Sequence, residues 1–275
     1  MVEKNLMFLV DSHCHINSEP LRADAPGVVR RAAEAGVGRV LVAGSDPATS
    51  AEAVELARVY RNEGLFAAVG VHPHDAKLLN GANELPEDLL RLADDPRVAA
   101  IGETGLDYHY DHSPRDAQRA SFRLHIDWAA RVGKPLVVHV RDALPAREAT
   151  EDALSILRDA AKSVPLLFHC YAGGLEYLDA MRDLDAYLSL GGPVTWPKNG
   201  ELRETAARIP ENRLLCETDS PWLTPAPHRG RVNEPAYVRL VYEAIAAERG
   251  LSADALARAL DANAARLFGW TPLYV

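Results

Sequence analysis

The stretch PLVVHVRDALPAREATEDALSILRDAAKSVPLLFHC, residues 135–170, contains the pattern that decides the fold. A short apolar run, Pro135 to Val138, is followed by a segment with helical spacing of apolar residues, Glu151 to Ala161, and by a second apolar run, Pro165 to Phe168. Apolar residues in a continuous run are typical of a strand that is buried on both faces of a sheet. The stretch therefore predicts two parallel strands joined by a crossover helix.

The same alternation of strand and helix extends over the whole chain. Eight apolar runs end near Val10, Ala43, Val69, Ile101, Val138, Phe168, Leu190 and Cys216. Further helices are predicted over Ala25 to Ala35, Ala48 to Arg61, Pro114 to Val132, Glu234 to Ala247 and Ala253 to Leu267, the last of which would close the ring. Eight such units predict an α/β fold, a single-domain (β/α)8 TIM barrel over residues 1–275. An open, doubly wound sheet is the alternative fold.

The composition limits the class of protein. The chain of 275 residues is 48% hydrophobic and 25% charged, which is typical of a globular protein and excludes a disordered or collagen-like chain. Three cysteines are too few for a disulfide scaffold, and no charged and then apolar leader precedes the first strand-like run. We therefore expect a reduced, cytoplasmic protein without a membrane span.

The net charge limits the partners. Lys and Arg total 30 against 39 Asp and Glu, which gives a formal net charge of −9 at pH 7. This balance argues against a protein that holds nucleic acid on a broad basic surface. A local site stays open, because bound divalent cations would add positive charge that the residue count does not include.

Histidines mark the ends of the predicted strands. In a parallel barrel the carboxyl ends of all strands share one face, so residues that follow different strands converge. His13 and His15 are two residues apart in extended chain, so both imidazoles point to the same side and can reach one ion. Six of the ten histidines fall at or just past a strand end: His13, His15, His72, His74, His139 and His169.

Two carboxylates join the histidines at the same kind of position. Glu103 follows the fourth predicted strand with a glycine close on each side, and Asp219 follows the eighth. A carboxylate can bridge two cations, whereas each imidazole nitrogen serves only one. Glu103 is therefore predicted to bridge two ions, and Asp219 to contact one of them. Glu217, two residues before Asp219, is a candidate for supporting a ligand from behind.

Residues beside these ligands are predicted to bind substrate. His72 and His74 follow the third strand, and the planar guanidinium of Arg141 suits a phosphate or a carboxylate. A surface salt bridge between Arg141 and Asp142 is the alternative. Arg229 and Arg231 belong to a small basic loop that would overhang the same mouth, with a solvated charge run as the alternative.

Other kinds of site find no support in the sequence. Cys14, Cys170 and Cys216 have no Cys-X-X-Cys spacing and are not predicted to be ligands. The chain has no Walker loop, no Gly-X-Gly-X-X-Gly and no Gly-X-Ser-X-Gly. These absences argue against the common nucleotide-triphosphate, dinucleotide and serine-hydrolase sites.

Blocks of sequence that follow one another along the chain resemble the signature motifs of the TatD family of metal-dependent hydrolases. The resemblance runs from Leu9 to about Gly269. The blocks are Asp11-Ser12-His13-Cys14-His15, Gly70-Val71-His72-Pro73-His74, Gly102-Glu103-Thr104-Gly105-Leu106-Asp107-Tyr108, His139-Val140-Arg141-Asp142-Ala143, His169-Cys170-Tyr171-Ala172-Gly173, Glu217-Thr218-Asp219-Ser220-Pro221-Trp222, Pro227-His228-Arg229-Gly230 and Asn233-Glu234-Pro235.

The resemblance implies a TIM barrel of the amidohydrolase type with a two-metal site, and a deoxyribonuclease with 3′ exonuclease action. It implies one metal held by His13, His15, Glu103 and Asp219 and a second held by Glu103, His139 and His169. Two positions depart from the family pattern. His125 stands where the family usually has glutamine, and Cys170-Tyr171-Ala172-Gly173 replaces Cys-Phe-Ser-Gly. Neither touches a predicted ligand, so the departures bear on the substrate.

We therefore predict a hydrolase with two divalent cations, Mg²⁺, Mn²⁺ or Zn²⁺, that acts on the ends of single-stranded DNA. Glu103 would fix the separation of the metals, Asp219 would accept a proton from the attacking water, and His74 with Arg141 would bind the phosphate. The alternative is hydrolysis of a carbon centre, such as an aminoacyl ester, a lactone or an amide. A non-catalytic partner protein is disfavoured because every predicted ligand is present. No obligate protein partner is predicted.

Overall fold

Eight parallel strands form one sheet in which each strand pairs with the next along the sequence. The computed structural model describes residues 7–79, 81–160 and 164–274. The strands are β1 (Leu9–Cys14), β2 (Val37–Ala43), β3 (Leu65–Val69), β4 (Val98–Asp107), β5 (Leu136–Arg141), β6 (Leu166–Phe168), β7 (Tyr187–Leu190) and β8 (Leu214–Cys216). The α-helices of these ranges are α1 (Ala25–Glu34), α2 (Pro47–Val59), α3 (Glu87–Leu92), α4 (Arg115–Val132), α5 (Glu148–Ala160), α6 (Leu178–Asp183), α7 (Gly200–Arg208), α8 (Val238–Arg249) and α9 (Ala253–Phe268).

The sheet curves until its last strand lies beside its first. No ladder pairs join β8 to β1 among the described residues, but backbone hydrogen bonds close this seam at the carboxyl ends of the strands. His15 N donates to Ser220 O at 2.7 Å, and Asp219 N donates to His13 O at 2.9 Å. The predicted (β/α)8 barrel is therefore confirmed, and the open-sheet alternative is wrong.

One layer inside the barrel is entirely apolar, and we call it the apolar floor. Its residues come from all eight strands and pack against the end of α9, whose Phe268 stacks on Trp270 at a centroid distance of 4.5 Å. Tight packing of branched and aromatic side chains fills such barrels, so the interior is a core and not a pore. The floor consists of Val10, Leu41, Ala68, Ala100, Val137, Leu167, Tyr187, Leu215, Leu267, Phe268 and Trp270.

A second core lies between the outer face of the sheet and the helices. Phe122, Ile126 and Trp128 of α4 are buried there, together with outward-facing strand residues such as Leu136 and Val138. Strand side chains alternate between the two faces, so apolar residues on both sides give the continuous runs seen in the sequence.

Three strands continue beyond their predicted ends. β1 extends to Cys14, β4 to Asp107 and β5 to Arg141. The ladder between β4 and β5 includes polar residues, since Gly105 pairs with His139 and Asp107 pairs with Arg141. The prediction that Glu103 follows its strand is therefore wrong, because Glu103 lies inside β4.

The helices match their predictions to within a few residues. α5 begins at Glu148, and Asp142 accepts hydrogen bonds from the backbone N–H groups of Ala149 and Thr150 in its first turn. Its predicted end, Ala161, lies outside the described residues. α8 begins at Val238, because a 3-10 turn precedes it. In the described ranges, no helix combines the length and the apolar character that crossing a membrane requires.

Candidate metal centre

Five strands bring all six predicted ligands together inside the carboxyl end of the barrel. In β5, period-two alternation places His139 in the layer above Val137 of the apolar floor. In β1 and β4 the ligand stands three residues after a floor residue, and the ladder of each strand shifts register in between. The ligands are His13 in β1, His15 just beyond it, Glu103 in β4, His139 in β5, His169 directly after β6 and Asp219 shortly after β8.

The first cluster consists of His13, His15, Asp219 and one oxygen of Glu103. The Nε2 atoms of the two histidines lie 3.0 Å apart, and each lies 3.4 Å from Glu103 Oε2. Asp219 Oδ1 lies 3.8 Å from His13 Nε2 and 3.6 Å from His15 Nε2. Ligand atoms about 2.1 Å from one ion stand roughly 3.0 to 3.4 Å from each other, so these four atoms fit around one cation.

The second cluster surrounds the other oxygen of Glu103. His139 Nδ1 and His169 Nε2 each lie 2.8 Å from Glu103 Oε1 and 3.0 Å from each other. His72 Nε2 lies 3.4 Å from the same oxygen. Sequence reasoning assigned His72 to substrate contacts and missed that it reaches Glu103. The strand-end position of His72 is the signal that could have included it.

Glu103 is the residue that the two clusters share. Its carboxylate is almost fully buried, and Oε2 has no hydrogen-bond partner in the described structure. A buried carboxylate oxygen without a partner is costly, and the neighbouring imidazole nitrogens are lone-pair donors to a metal, so the donor set fits bound cations. The glycine before Glu103 permits the close approach to β5, since a Cβ at Gly102 would lie 2.5 Å from the carbonyl oxygen of Val137.

The Glu103 carboxylate and the imidazoles around it shift one another's pKa. Burial opposes ionisation of Glu103, yet the imidazoles of His169, His72 and His13 hold its pKa well below its usual range. Burial likewise disfavours a charged His169, but the Glu103 carboxylate raises the pKa of that imidazole well above its usual value. Burial lowers the pKa of His13, which keeps it in the neutral form that a metal ligand needs.

Asp107 connects the second cluster to His74. Its Oδ2 lies 2.8 Å from His74 Nε2 and 3.3 Å from His139 Nε2, while Oδ1 accepts hydrogen bonds from the backbone N–H groups of His109 and Tyr110. Burial opposes ionisation, but the hydrogen bonds with His139 and His74 lower the pKa of this carboxyl. Sequence reasoning did not single out Asp107, although it lies four residues after Glu103 in the same motif.

Two further acids lie behind the clusters. Glu217 Oε1 accepts a hydrogen bond from Cys170 N at 2.6 Å and lies 3.6 Å from His169 Nδ1, a distance that agrees with the supporting role predicted for it. Asp11 accepts hydrogen bonds from the backbone N–H and the hydroxyl of Thr218, which ties β1 to the segment after β8. Burial raises the pKa of Asp11 to about 8.

His125, which departs from the family pattern, forms hydrogen bonds with two backbone groups. Its Nδ1 lies 2.7 Å from Ser121 O, and its Nε2 accepts a hydrogen bond from Val71 N at 3.0 Å. Burial lowers the pKa of His125 to about 4, so the ring is neutral and one nitrogen is free to accept. The ring holds the backbone directly before His72, as a side-chain amide could.

The surroundings of the three cysteine thiols disfavour their ionisation. Burial raises the pKa of the thiols of Cys14, Cys170 and Cys216 well above the usual value. A metal ligand must be a thiolate, so this environment disfavours the form that would bind.

The arginines predicted to bind substrate divide into two groups. The guanidinium of Arg141 lies 4.7 Å from the ring centroid of Tyr110, beside the second cluster, and Asp142 is engaged by α5 instead. The alternative of an Arg141–Asp142 salt bridge is therefore wrong. Arg229 lies over the ring of Trp196 at 4.4 Å, and Arg231 is exposed. In the described ranges, neither of these two makes a hydrogen bond or ion pair with a predicted ligand.

Comparisons with known proteins agree with this arrangement. A family model described as TatD related DNase matches residues 10–269. The uncharacterized metal-dependent hydrolase YabD of Bacillus subtilis is 40% identical over 264 residues, which cover 94% of this chain and 98% of that protein. The 3'-5' ssDNA/RNA exonuclease TatD of Salmonella typhimurium is 36% identical, and the match covers 94% of this chain and 98% of that protein.

Among solved structures, the crystal structure of YJJV, a TatD homolog from Escherichia coli k12, superposes with a TM-score of 0.82. Its sequence is 26% identical, and the match covers 97% of this chain and 100% of that one.

Proposed function

The chain belongs to the TatD family of metal-dependent hydrolases, and from that premise we propose that it cleaves phosphodiester bonds as a 3′ exonuclease on single-stranded DNA. The observation that carries the proposal is the position of Glu103, whose two oxygens face separate groups of imidazoles. A carboxylate placed in this way suits two neighbouring cations, the arrangement used for in-line phosphoryl displacement. The name of the Salmonella typhimurium relative supports the same substrate class.

The residues present fit two divalent ions per chain. His13, His15 and Asp219 would hold one, His139 and His169 would hold the other, and Glu103 would contribute to both. Bound divalent cations would polarise the phosphoryl oxygens and lower the pKa of a water molecule at the site. Mixed nitrogen and oxygen donors suit Mn²⁺ or Zn²⁺, and Mg²⁺ is the third candidate.

Asp219 is the proposed proton acceptor. Its carboxylate is the predicted ligand nearest to solvent in the first cluster, with a side-chain exposure of 14%, whereas that of Glu103 is 3%. Burial raises the pKa of Asp219 above its usual value, which makes the carboxylate a better base. Asp219 would take the proton of the attacking water at a carboxylate oxygen.

His74 and Arg141 are the proposed phosphate-binding groups. Both lie on the side of the second cluster, where Asp107 holds His74 and the ring of Tyr110 supports Arg141. The planar guanidinium can donate two parallel hydrogen bonds to a phosphate. Arg229 and Arg231 make no hydrogen bond or ion pair with a predicted ligand in the described ranges, and we assign them to phosphates further along the strand.

A strand end suits this small set of groups. The net charge of −9 provides no continuous basic track along a duplex. Few phosphates would be neutralised, so binding of DNA should weaken with added salt on a shallow slope, of the order of two to four phosphates.

Incubation with end-labelled DNA tests the proposal. The protein is loaded with Mn²⁺ or Mg²⁺, its metal content is measured, and it is given linear single strands, linear duplex and closed single-stranded circles of the same sequence. We expect stepwise release of nucleotides from the 3′ end of the linear single strand, and slow or no cleavage of the circle.

Two outcomes would contradict the proposal in different ways. Equal rates on the circle and the linear strand would disprove the preference for ends. No cleavage of any DNA, with both metals bound, would favour the second candidate, an acyl or amide hydrolase, which a panel of esters, lactones and amides would then reveal. An acyl or amide hydrolase is the second candidate because a metal-activated water also attacks carbonyl carbon.

A further inference from the structure

A cavity of about 370 Å³ lies beside the second cluster, between the segments that follow β5 and β6. Ligand sites in proteins usually occupy roughly 300 to 1,000 Å³, so the volume is that of a site for a small group. One wall comes from Val140 to Leu144 and the other from Phe168 to Gly173, with Met181 of α6 also in the lining. The proposed mechanism uses two residues at the edge of this cavity and leaves its interior without a role.

The walls are mainly apolar and partly aromatic. Phe168, Tyr171 and Met181 are buried side chains of the lining, and Leu144 is an exposed one. An aromatic ring in such a wall can stack on a planar, polarisable group, and every nucleobase has such a face.

Three polar side chains of the lining are already engaged with other parts of the protein. Asp142 accepts hydrogen bonds from Ala149 N and Thr150 N, and Tyr171 Oη donates to Gly174 O at 2.9 Å. Arg147 Nε lies 2.8 Å from Glu176 Oε1. The lining side chains of His109 and Arg141 make no hydrogen bond or ion pair in the described structure, so the cavity offers shape and apolar contact together with two free polar groups at its rim.

The cavity shares two residues with the proposed reaction site. His169, whose Nε2 lies 2.8 Å from Glu103 Oε1, is part of the lining, and so is Arg141. A group bound in the cavity would therefore lie next to a phosphate held between Arg141 and the second cluster. The two could belong to one nucleotide.

We propose that this cavity binds the nucleobase of the terminal nucleotide, the one next to the phosphate that is cut. This inference rests on the proposed phosphodiesterase activity. It goes further by assigning a second contact to the substrate: the phosphate lies at the metals and the terminal base lies in the cavity. Because the walls are mainly apolar and aromatic, and every base can stack on an aromatic ring, all four bases should be accepted.

Strands that lack one base test the inference. Matched single strands carry an abasic tetrahydrofuran residue at the 3′-terminal position, at the fourth position from that end, or nowhere. We expect kcat/KM for removal of the last nucleotide to fall on the order of ten- to hundredfold for the terminal abasic residue. The abasic residue at the fourth position should change the rate less than about threefold, and the identity of the terminal base should matter as little.

A variant that fills the cavity gives the second arm. Ala143→Phe places a large side chain in the lining, whereas Ala146→Phe makes the same change at an exposed residue of the same loop that does not line the cavity in the described structure. We expect Ala143→Phe to lower the rate on the ordinary strand to that on the terminally abasic strand and to leave the abasic rate unchanged. Ala146→Phe should behave as the wild type, and both variants should bind as much metal as the wild type.

Binding without cleavage gives an independent readout. In the background of Asp219→Asn, a strand with 2-aminopurine at its 3′ end should change its fluorescence on binding, because the base leaves water and meets an aromatic wall. The same probe at the fourth position should not respond, and Ala143→Phe should abolish the response.

The outcomes separate this inference from the proposed function. If the wild type removes ordinary and abasic terminal nucleotides at equal rates, the cavity does not bind the base although the enzyme is a nuclease. An equal rate loss for the abasic residue at the fourth position would also overturn the assignment. If the wild type with two bound metals cleaves none of the strands, both the proposed function and the inference that rests on it are wrong.

Discussion

Val137 and His139 both point into the barrel from β5, two residues apart, yet one belongs to the apolar floor and the other to the second cluster. The same contrast holds for the segment of β6, where Leu167 belongs to the floor and His169, two residues later, lies among the ligands. Burial of apolar surface in the floor stabilises the folded protein by about 25 cal/mol per Å². The layer above it buries carboxylates and imidazoles, which cost free energy unless they are paired or bind metal.

In this barrel, residues that stabilise the fold and residues of the metal clusters occupy successive layers, only two residues apart along β5. Substitutions in the floor should change the free energy of unfolding and leave the metals in place. Substitutions in the upper layer should change metal binding and catalysis and leave folding largely intact. The variants below test whether folding stability and metal binding can be changed independently.

Asp219→Asn should give the largest effect, and only in the upper layer. The amide keeps an oxygen that can bind a cation but cannot accept a proton from water. We expect kcat to fall by a factor of the order of 10² to 10⁴, while much of the metal stays bound. Steady-state rates on single-stranded DNA and metal analysis of the same sample measure both. Wild-type rates at full metal occupancy would show that Asp219 is not the base, and His74 would be tested next.

Leu215→Ala addresses the floor. The fully buried leucine lies two residues before Glu217, and its truncation leaves a cavity in packed apolar surroundings. We expect the free energy of unfolding to fall by about 2 to 5 kcal/mol. Urea unfolding measures this loss, and metal content per chain should stay at the wild-type value.

Leu251→Ala is the matched control, because this leucine is 38% exposed in the loop between α8 and α9. It should cost less than about 1 kcal/mol. If Leu215→Ala also removed the metals at temperatures where the protein is folded, the two layers would not be independent.

Asp107→Asn should have an intermediate effect. Asp107 lies within hydrogen-bond reach of His139 and His74, so its charge orients a predicted ligand and a predicted phosphate-binding group. Residues that orient a metal ligand typically contribute about 10- to 100-fold to affinity. We expect a loss of this size in affinity for the more weakly bound metal, measured by competition with a chelator. An unchanged affinity would mean that His139 does not depend on Asp107.

His125→Gln should give the smallest effect at neutral pH. Glutamine offers an acceptor for Val71 N, so we expect the free energy of unfolding at pH 7.5 to change by less than about 1.5 kcal/mol. His125→Leu, which leaves that buried N–H without a partner, should cost about 1 to 3 kcal/mol. Equal losses for the two variants would show that the hydrogen bond contributes nothing.

The same position predicts a pH dependence. The folded pKa of His125, about 4, lies below the value of 6.5 expected for the unfolded chain, so the unfolded state binds the proton more readily. Stability should therefore fall as the pH drops from 6.5 towards 4, by about 2 to 3 kcal/mol for this group. Urea unfolding at pH 7.5 and pH 5 should show a smaller loss for His125→Gln than for the wild type.

The barrel was predictable because its evidence is local. Buried parallel strands leave continuous apolar runs in the sequence, and eight of them alternating with helices leave few possible folds. The ligand candidates were predictable for the same reason: a histidine or an acid at the end of an apolar run has few structural roles there.

The features that the sequence did not predict depend on contacts between segments that are far apart along the chain. The ladder between β4 and β5 continues through Asp107 and Arg141 because both strands bring polar residues to the same register, which neither strand shows alone. Nothing in the basic loop indicates that Arg229 lies over Trp196, more than thirty residues earlier in the sequence. The acceptor role of His125 likewise depends on Val71, which belongs to a different strand-end segment.

The seam between β8 and β1 has a consequence for biosynthesis. The backbone hydrogen bonds that close it come from His13 and His15 on one side and from Asp219 and Ser220 on the other. A chain emerging from the ribosome presents the first two ligands long before the last, and nascent chains fold from the amino terminus onward. Until about four fifths of the polypeptide has been made, the first cluster lacks Asp219 and the barrel lacks its last strand. A translation product truncated before Asp219 should therefore have neither a closed barrel nor a complete first cluster, so such an incomplete copy would not become an active hydrolase.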